Sequence, residues 1–448
     1  MQSGLLNPTG LNRRESLRSV ASASFLASSF PKADSDSIGP QSTPSQAVRS
    51  WRVLHACEPT KALHPLISGE LMIGMRPVLV TRDGPIKQDA LLVYRQEPAT
   101  ISLLTAWNDV RRWRKVLMES DPEGESDVVH AHSFTSGMAG VRNFPAVVFD
   151  IDRWIEDHAG DFNDSEHSWL ARSFRVAEQF VLTRAAAVVT RCKSMGEAAV
   201  RRGTSPENLF VIPQACEERE LAHRDQQWLR SLGISHGASI LLYAPDDRIE
   251  FGSDGRLKGS AERLIAAFAI IASEVDNCYL LVDVAEEAMQ ALNEAAEAYE
   301  LGTTIKRIIR EDRARAFASC DIVIAGRSAQ SGTSTEANPN AVEAFASRRA
   351  LLAADLMCNR DLSGNGRGCL WYNETDARDL AHRACFLARN PDFRRALADA
   401  GHGFYLETRS AVAVAQQYDI VYRHAFARRK SGGLQTPATR LLPIRAAL

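Results

Sequence analysis

No stretch of this chain reaches the roughly 18 to 20 uninterrupted apolar residues that a membrane-spanning helix needs, which excludes a helical membrane protein. Peripheral membrane contact stays open, because a surface patch or an amphipathic helix suffices for it. An excess of either charge is missing too. With 53 Lys and Arg against 55 Asp and Glu, the net charge of -2 gives no global field to draw nucleic acid, and no nucleic-acid partner is expected. The eight cysteines form no C-x-x-C pair and no zinc-finger spacing, so neither a zinc ribbon nor a disulfide framework is indicated. They read as scattered reduced thiols and point to the cytoplasm. Also absent are G-x-S-x-G, a P-loop and G-x-G-x-x-G, the turns of serine hydrolases, P-loop nucleotidases and dinucleotide-binding enzymes.

The chain has 448 residues, 45% of them apolar, enough for two or three domains with separate cores. Residues 1–48 stand apart, since Ser16 to Ser45 is rich in Ser, Ala and Pro without sustained periodicity, and a disordered leader is expected there. Arg13-Arg14 before Ser19 to Ala27 faintly resembles a twin-arginine export signal, but serines interrupt the apolar part.

From Trp51 onward, short β-rich runs alternate with helix-length segments, the pattern of parallel sheets covered by helices. Strands are expected at Val53 to Cys57, Val78 to Thr81, Val128 to His132, Ala146 to Phe149, Ala187 to Thr190 and Leu209 to Ile212, with helices at Ile101 to Met118, Trp169 to Arg184 and Ser194 to Arg202. After a polar break at Pro213 to Gly237, the alternation restarts with strands at Ile240 to Ala244, Tyr279 to Asp283, Ile305 to Ile309, Asp321 to Ala325 and Ala350 to Ala354. Helices are expected at Ala261 to Ser273, Glu286 to Tyr299, Ala377 to Arg389, Asp392 to Ala400 and Ser410 to Arg428, the last crossing back toward the first domain. The economical architecture is α/β, with two Rossmann-like, doubly wound domains facing across a cleft: 49–220 and 221–410, then a C-terminal helix and loose tail, 411–448. Ligands of such sheets bind outside the carboxyl ends of the strands, so the cleft is the expected site.

The segment from Thr335 to Phe345 follows the strand ending at Ala325 and reads as a loop running into a helix, with Asn338 as N-cap and Pro339 at the first helical position. A helix N-terminus after such a strand favours a phosphate, because its N–H groups lack partners and its dipole attracts an anion. Glu336 precedes the helix, where it could touch a donor sugar. Glu343 lies about one turn inside, within reach of ribose hydroxyls, and Asn340 and Ala341 lie on the phosphate side. A capped helix with a solvated glutamate would show the same pattern.

Four segments, in order, resemble the family 4-like, group 1 retaining glycosyltransferases of the GT-B fold: Asp127 to Ser133 with Ala139-Gly140; Glu178 to Ala187 continuing through Ala199 to Gly203 and Val211 to Pro213; Leu257-Lys258-Gly259 before Leu264 to Phe268; and Pro339 to Phe345, followed by Arg389 to Arg395. The resemblance covers most of residues 51–428. It implies a nucleoside-diphosphate sugar as donor, a glycan, lipid-linked or small-molecule acceptor, retention at the transferred carbon, and neither cofactor nor metal. It also implies that Arg248 and Lys258 stabilise the leaving diphosphate, the charge that develops as the glycosidic bond breaks.

The remaining candidates come from strand ends. His130 and His132 are two apart on a strand and share a face, with His132 nearer the carboxyl end and so better placed for donor or acceptor hydroxyls. The pair could also bind a metal, but no third ligand is evident beside it in the sequence. Asp150, Asp152 and Glu58 occupy positions suited to an acceptor. The chain also departs from the family's pattern: Glu336 and Glu343 are seven apart instead of eight, and the first strand runs into Glu58 to His64 without a Gly-Gly turn. These departures define an alternative, a binding or regulatory protein on the same scaffold that has lost transfer.

Overall fold

The computed structural model describes residues 50–57, 63–82, 84–85, 103–151, 154, 168–216, 223–244, 259–284, 286–326, 339–356, 359–360, 363 and 366–430. The first sheet consists of β1 (Arg52–Ala56), β2 (Arg76–Thr81), β3 (Gly84–Pro85), β4 (Val128–Ala131), β5 (Val147–Ile151), β6 (Ala187–Thr190) and β7 (Leu209–Val211). Its order is β3-β2-β1-β4-β5-β6-β7, parallel except for β3, which pairs antiparallel with the edge strand β2. The central strands are buried on both faces, which is why they read as continuous apolar runs. The helices α1 (His64–Met72), α2 (Leu103–Ser120), α3 (Phe134–Asn143), α4 (Ser168–Arg184) and α5 (Lys193–Arg201) accompany it. Two hydrophobic cores flank the sheet, one around Trp113, Leu117 and Val181 and the other around Trp51, Leu66 and Ile67.

The second sheet consists of β8 (Ser239–Tyr243), β9 (Cys278–Asp283), β10 (Ile305–Ile308), β11 (Ile322–Ala325), β12 (Ala350–Ala354) and β13 (Cys369–Tyr372), ordered β10-β9-β8-β11-β12-β13 and parallel throughout. With it go α6 (Gln226–Ser231), α7 (Gly259–Glu274), α8 (Glu286–Glu297), α9 (Arg313–Ser319), α10 (Pro339–Ala346), α11 (Ala377–Arg389) and α12 (Pro391–Thr408). Strand order reverses at β8, between β9 and β11, and the crevice beyond such a switch point is where doubly wound sheets take ligands.

The last helix, α13 (Ala411–Lys430), returns to the first sheet. Val414, Tyr418, Val421, Tyr422 and Ala425 repeat at helical spacing and lie in the same core as Trp51, Val53 and Val148. Trp51 donates its indole N–H to Asp419 at 2.6 Å. Where α1 meets the start of α13 the backbones nearly touch: a Cβ on Gly69 would sit 2.0 Å from the carbonyl oxygen of Ala411, so only glycine fits.

The structure also has elements beyond those expected from the sequence: α1, α3, α9, β3 and β13. The helix expected to end at Ala400 runs on to Thr408. Its interior Gly401 is kept for space, because a Cβ there would meet the Phe345 ring at 2.5 Å. Residues 1–48 and the tail after Lys430 lie outside the described residues, and so do the expectations made for them.

Candidate active site

In the second domain the chemistry gathers at Arg313, the first residue of α9. Its guanidinium donates through Nη1 to Asp283 at 2.6 Å and through Nε to Glu343 at 2.9 Å, and Nη2 donates to the Asn340 side-chain oxygen. Asp283 is the last residue of β9, while Asn340 and Glu343 belong to the first turns of α10. The Asn340 amide donates to the carbonyl of Ala244, just past β8. One cation and one amide therefore pin the start of α10 to the carboxyl ends of β8 and β9. Burial opposes the charge on Arg313, but the Glu343 and Asp283 carboxylates outweigh it and raise its pKa, so the guanidinium is fixed as a cation. Glu343 is only 8% exposed and Asn340 fully buried.

Of the residues expected to bind donor phosphate and ribose, the structure brings together Asn340, Ala341 and Glu343 at the start of α10, with Ala341 fully buried. Arg248, Lys258, Glu336 and Asn338 lie outside the described residues. The helix that follows Lys258 does begin at Gly259, whose φ of 67° is a left-handed conformation suited to glycine. Arg313 and Asp283 have no signature in the sequence, since a lone arginine opening a short helix carries no spacing signal.

In the first domain a second polar cluster sits at the carboxyl ends of β1 and β4. His55 and His130 are directly paired across the parallel strands, and His132 follows β4. His55 Nε2 lies 2.8 Å from Glu70, and His55 Nδ1 lies 3.0 Å from His132 Nε2. His130 Nδ1 meets the Tyr422 hydroxyl at 2.9 Å, and that hydroxyl donates to Glu70 at 2.6 Å. Asp150, within β5, accepts from Arg191 at 2.8 Å and from the Tyr418 hydroxyl at 2.7 Å. Burial lowers the pKa of His130, partly offset by Asp150, and lowers His132 well below its ordinary value with help from its histidine neighbours, so both rings are neutral. Burial alone would raise Asp150, but the Arg191 guanidinium, with the Tyr418 hydroxyl, brings it below the usual carboxylate range. Burial and the adjacent carboxylates push Tyr418 and Tyr422 well up, so the phenols remain donors.

His132 is the least buried ring of the three, its side chain 13% exposed against none for His130. Asp150 is a buried partner inside a strand rather than a group beyond its end. Asp152 and Glu58 lie outside the described residues. His55 was legible only as a second Leu/Val-His-Ala run, Leu54-His55-Ala56 beside Val129-His130-Ala131, and strand pairing gives that repeat its meaning.

Residues 49–215 match the model of the glycosyl transferase 4-like domain. That match spans the first domain, which is similar to the 4-like glycosyltransferases, and the two domains together have the GT-B fold. No curated protein sequence matches it. Among solved structures of the same fold, a glycosyltransferase from Rickettsia africae ESF-5 superposes with a TM-score of 0.61 at 12% identity, covering 84% of this chain and 98% of that one. Sucrose-phosphate synthase from Thermosynechococcus elongatus gives 0.59 at 16% identity, with coverage of 84% and 99%. Anabaena HepE in complex with UDP and glucose gives 0.53 at 14%, with coverage of 83% and 99%. At these identities the likeness is one of fold. The two polar clusters thus belong to different sheets: the three histidines lie within the 4-like match, their partners Tyr418 and Tyr422 come from α13, and the Arg313 cluster lies outside the match. Among the described residues, no helix is long and apolar enough to cross a membrane.

Proposed function

We propose that this protein is a glycosyltransferase that moves a sugar from a nucleoside-diphosphate donor to a glycan, lipid-linked or small-molecule acceptor, with retention, in the cytoplasm. The observation that carries the donor part is the Arg313 cluster. It holds the start of α10 against the carboxyl edge of β8 and β9, at the switch point of the second sheet. The N–H groups at a helix start have no acceptor within the helix and favour an anion such as a diphosphate, and Glu343 sits one turn in, beside the place a ribose would take. The HepE structure of the same fold contains UDP and glucose, which supports this donor class. Lys258 and Arg248, just before α7, are proposed to stabilise the leaving diphosphate, Glu336 to contact the donor sugar, and His132 to contact a donor or acceptor hydroxyl. No step in this reading calls for a metal or cofactor.

Calorimetric titration with a nucleoside diphosphate and with its sugar conjugate tests the assignment. Glu343→Ala is expected to weaken both ligands, whereas Glu336→Ala should weaken the sugar nucleotide and leave the bare diphosphate unchanged. Each lost charge-assisted hydrogen bond is worth about 1.5 to 3 kcal/mol. Failure of the wild-type chain to bind any nucleotide would overturn the donor assignment and favour the non-catalytic binding protein. In turnover, Lys258→Ala is expected to raise the transfer barrier by about 2 to 4 kcal/mol at saturating donor, the cost of losing one donor to a developing anion. Unchanged turnover would remove Lys258 from the mechanism.

A further inference from the structure

The proton inventory of the histidine cluster leaves one conflict. Tyr422 donates to Glu70, so the hydrogen bond between Tyr422 and His130 takes its proton from His130 Nδ1, which leaves His130 Nε2 as a bare lone pair. That nitrogen is buried, has no hydrogen-bond partner among the described residues, and lies 3.5 Å from Asp150 Oδ2, itself an acceptor. His55 faces Glu70 with Nε2, so its proton sits there and Nδ1 is a second lone pair. His132 donates its one proton to that lone pair, which turns its own Nδ1 lone pair toward Asp150 Oδ2 at 3.7 Å. Two imidazole lone pairs therefore point at one buried carboxylate with no proton between them. Glu70, also fully buried, is met by a ring N–H and a phenol and, among the described residues, by no lysine or arginine.

We propose that His55, His130 and His132 form a binding site for a divalent transition-metal ion of the zinc type. One ring nitrogen from each histidine lies within 4.8 Å of the others, and the closest pair, His55 Nδ1 and His132 Nε2, is already at 3.0 Å. Nitrogens bound tetrahedrally to one zinc at about 2.0 Å stand about 3.3 Å apart, so the closest pair is near its bound spacing and the widest draws in by at most ~1.5 Å. A single tautomer change in His132, from Nε2–H to Nδ1–H, resolves the conflict. The three lone pairs then converge on the ion, and every ring directs its N–H to an oxygen: His55 to Glu70, His130 to Tyr422 and His132 to Asp150. Outer oxygens of this kind orient metal-binding histidines and raise their basicity. Three protein ligands leave a fourth position, the arrangement of sites that accept a water or a substrate oxygen, so a donor or acceptor hydroxyl would meet His132 through the ion and not at the ring itself.

The test uses the purified full chain, stripped with chelator and titrated with cobalt(II) and then zinc. One equivalent of cobalt should bind with the visible absorption of a four-coordinate ion, and zinc should displace it. X-ray absorption of the zinc complex should show three imidazole ligands without relying on any variant. Sulfur scattering would instead place the ion on a cysteine and overturn the assignment. His132→Gln, the least buried position, should abolish the cobalt spectrum while keeping the circular dichroism of the wild type. Glu70→Gln should weaken binding by about 10- to 100-fold, the usual cost of losing an outer partner. Absence of stoichiometric cobalt or zinc binding in the wild type, or full binding in a folded His132→Gln chain, would overturn the proposal.

Discussion

Replacing Arg313 with alanine is expected to lower the unfolding free energy by about 3 kcal/mol and to weaken nucleotide binding in the same variant. The first effect follows from burial. Arg313 forms ion pairs with Asp283 and Glu343 at side-chain exposures of 24%, 17% and 10%, so its removal leaves two largely buried carboxylates facing each other without a cation. Breaking a fully buried pair costs about 3 to 5 kcal/mol, and the residual exposure here places the expectation at the lower end. The second effect follows from geometry, because Asn340 loses the donor that, with the Ala244 carbonyl, fixes the start of α10. Arg313→Lys should recover only part of either loss, since an ammonium cannot span three acceptors with the fixed fork of a guanidinium. Urea denaturation checks the stability and calorimetry the binding. A variant as stable as the wild type, with unchanged nucleotide affinity, would show that the cluster neither holds the fold nor shapes the site.

Glu70→Ala should be similarly damaging, by about 3 to 5 kcal/mol, and its effect should concentrate on α13. Glu70 is fully buried and accepts from His55 at 2.8 Å and from Tyr422 at 2.6 Å, so truncation strands two buried donors in addition to opening a cavity. An unsatisfied buried polar group costs about 1 to 3 kcal/mol each, and the cavity adds to that. Tyr422 is one of the residues by which α13 enters the core of the first sheet, hence amide exchange along α13 should rise before that of β1 or β4. Glu70→Gln, which keeps an acceptor for one of the two donors, should cost less than half as much. Uniform destabilisation with no preferential loosening of α13 would place the work of Glu70 elsewhere in the sheet.

Much of the scaffold was legible because parallel, doubly covered strands have a strong sequence signal. Runs such as Val147 to Phe149 or Ile322 to Ala325 are apolar on both faces, and their alternation with helical segments already implies two sheets. The edge elements were less legible. The two-residue β3 is too short for any periodicity, and α1 and α9 are short helices whose packing, rather than intrinsic pattern, holds them in place. Gly401 shows the same limit within a long helix: propensity argues for a stop, but contact with Phe345 and Gly368 requires the missing side chain and the helix continues.

The candidate site divides along the same line. The sequence by itself determined the helix opening at Pro339, the placement of Asn340, Ala341 and Glu343 in its first turns, and the shared face of His130 and His132, because each depends on spacing within one element. Only the tertiary structure decided that Arg313 joins Asp283 to Glu343, residues 30 apart on either side, and that His55, Glu70, Asp150, Tyr418 and Tyr422 close around His130 and His132 from four elements. Buried polar groups must find partners, and the partner is set by which strand ends and helix faces meet in space. Separation along the chain carries no trace of that choice.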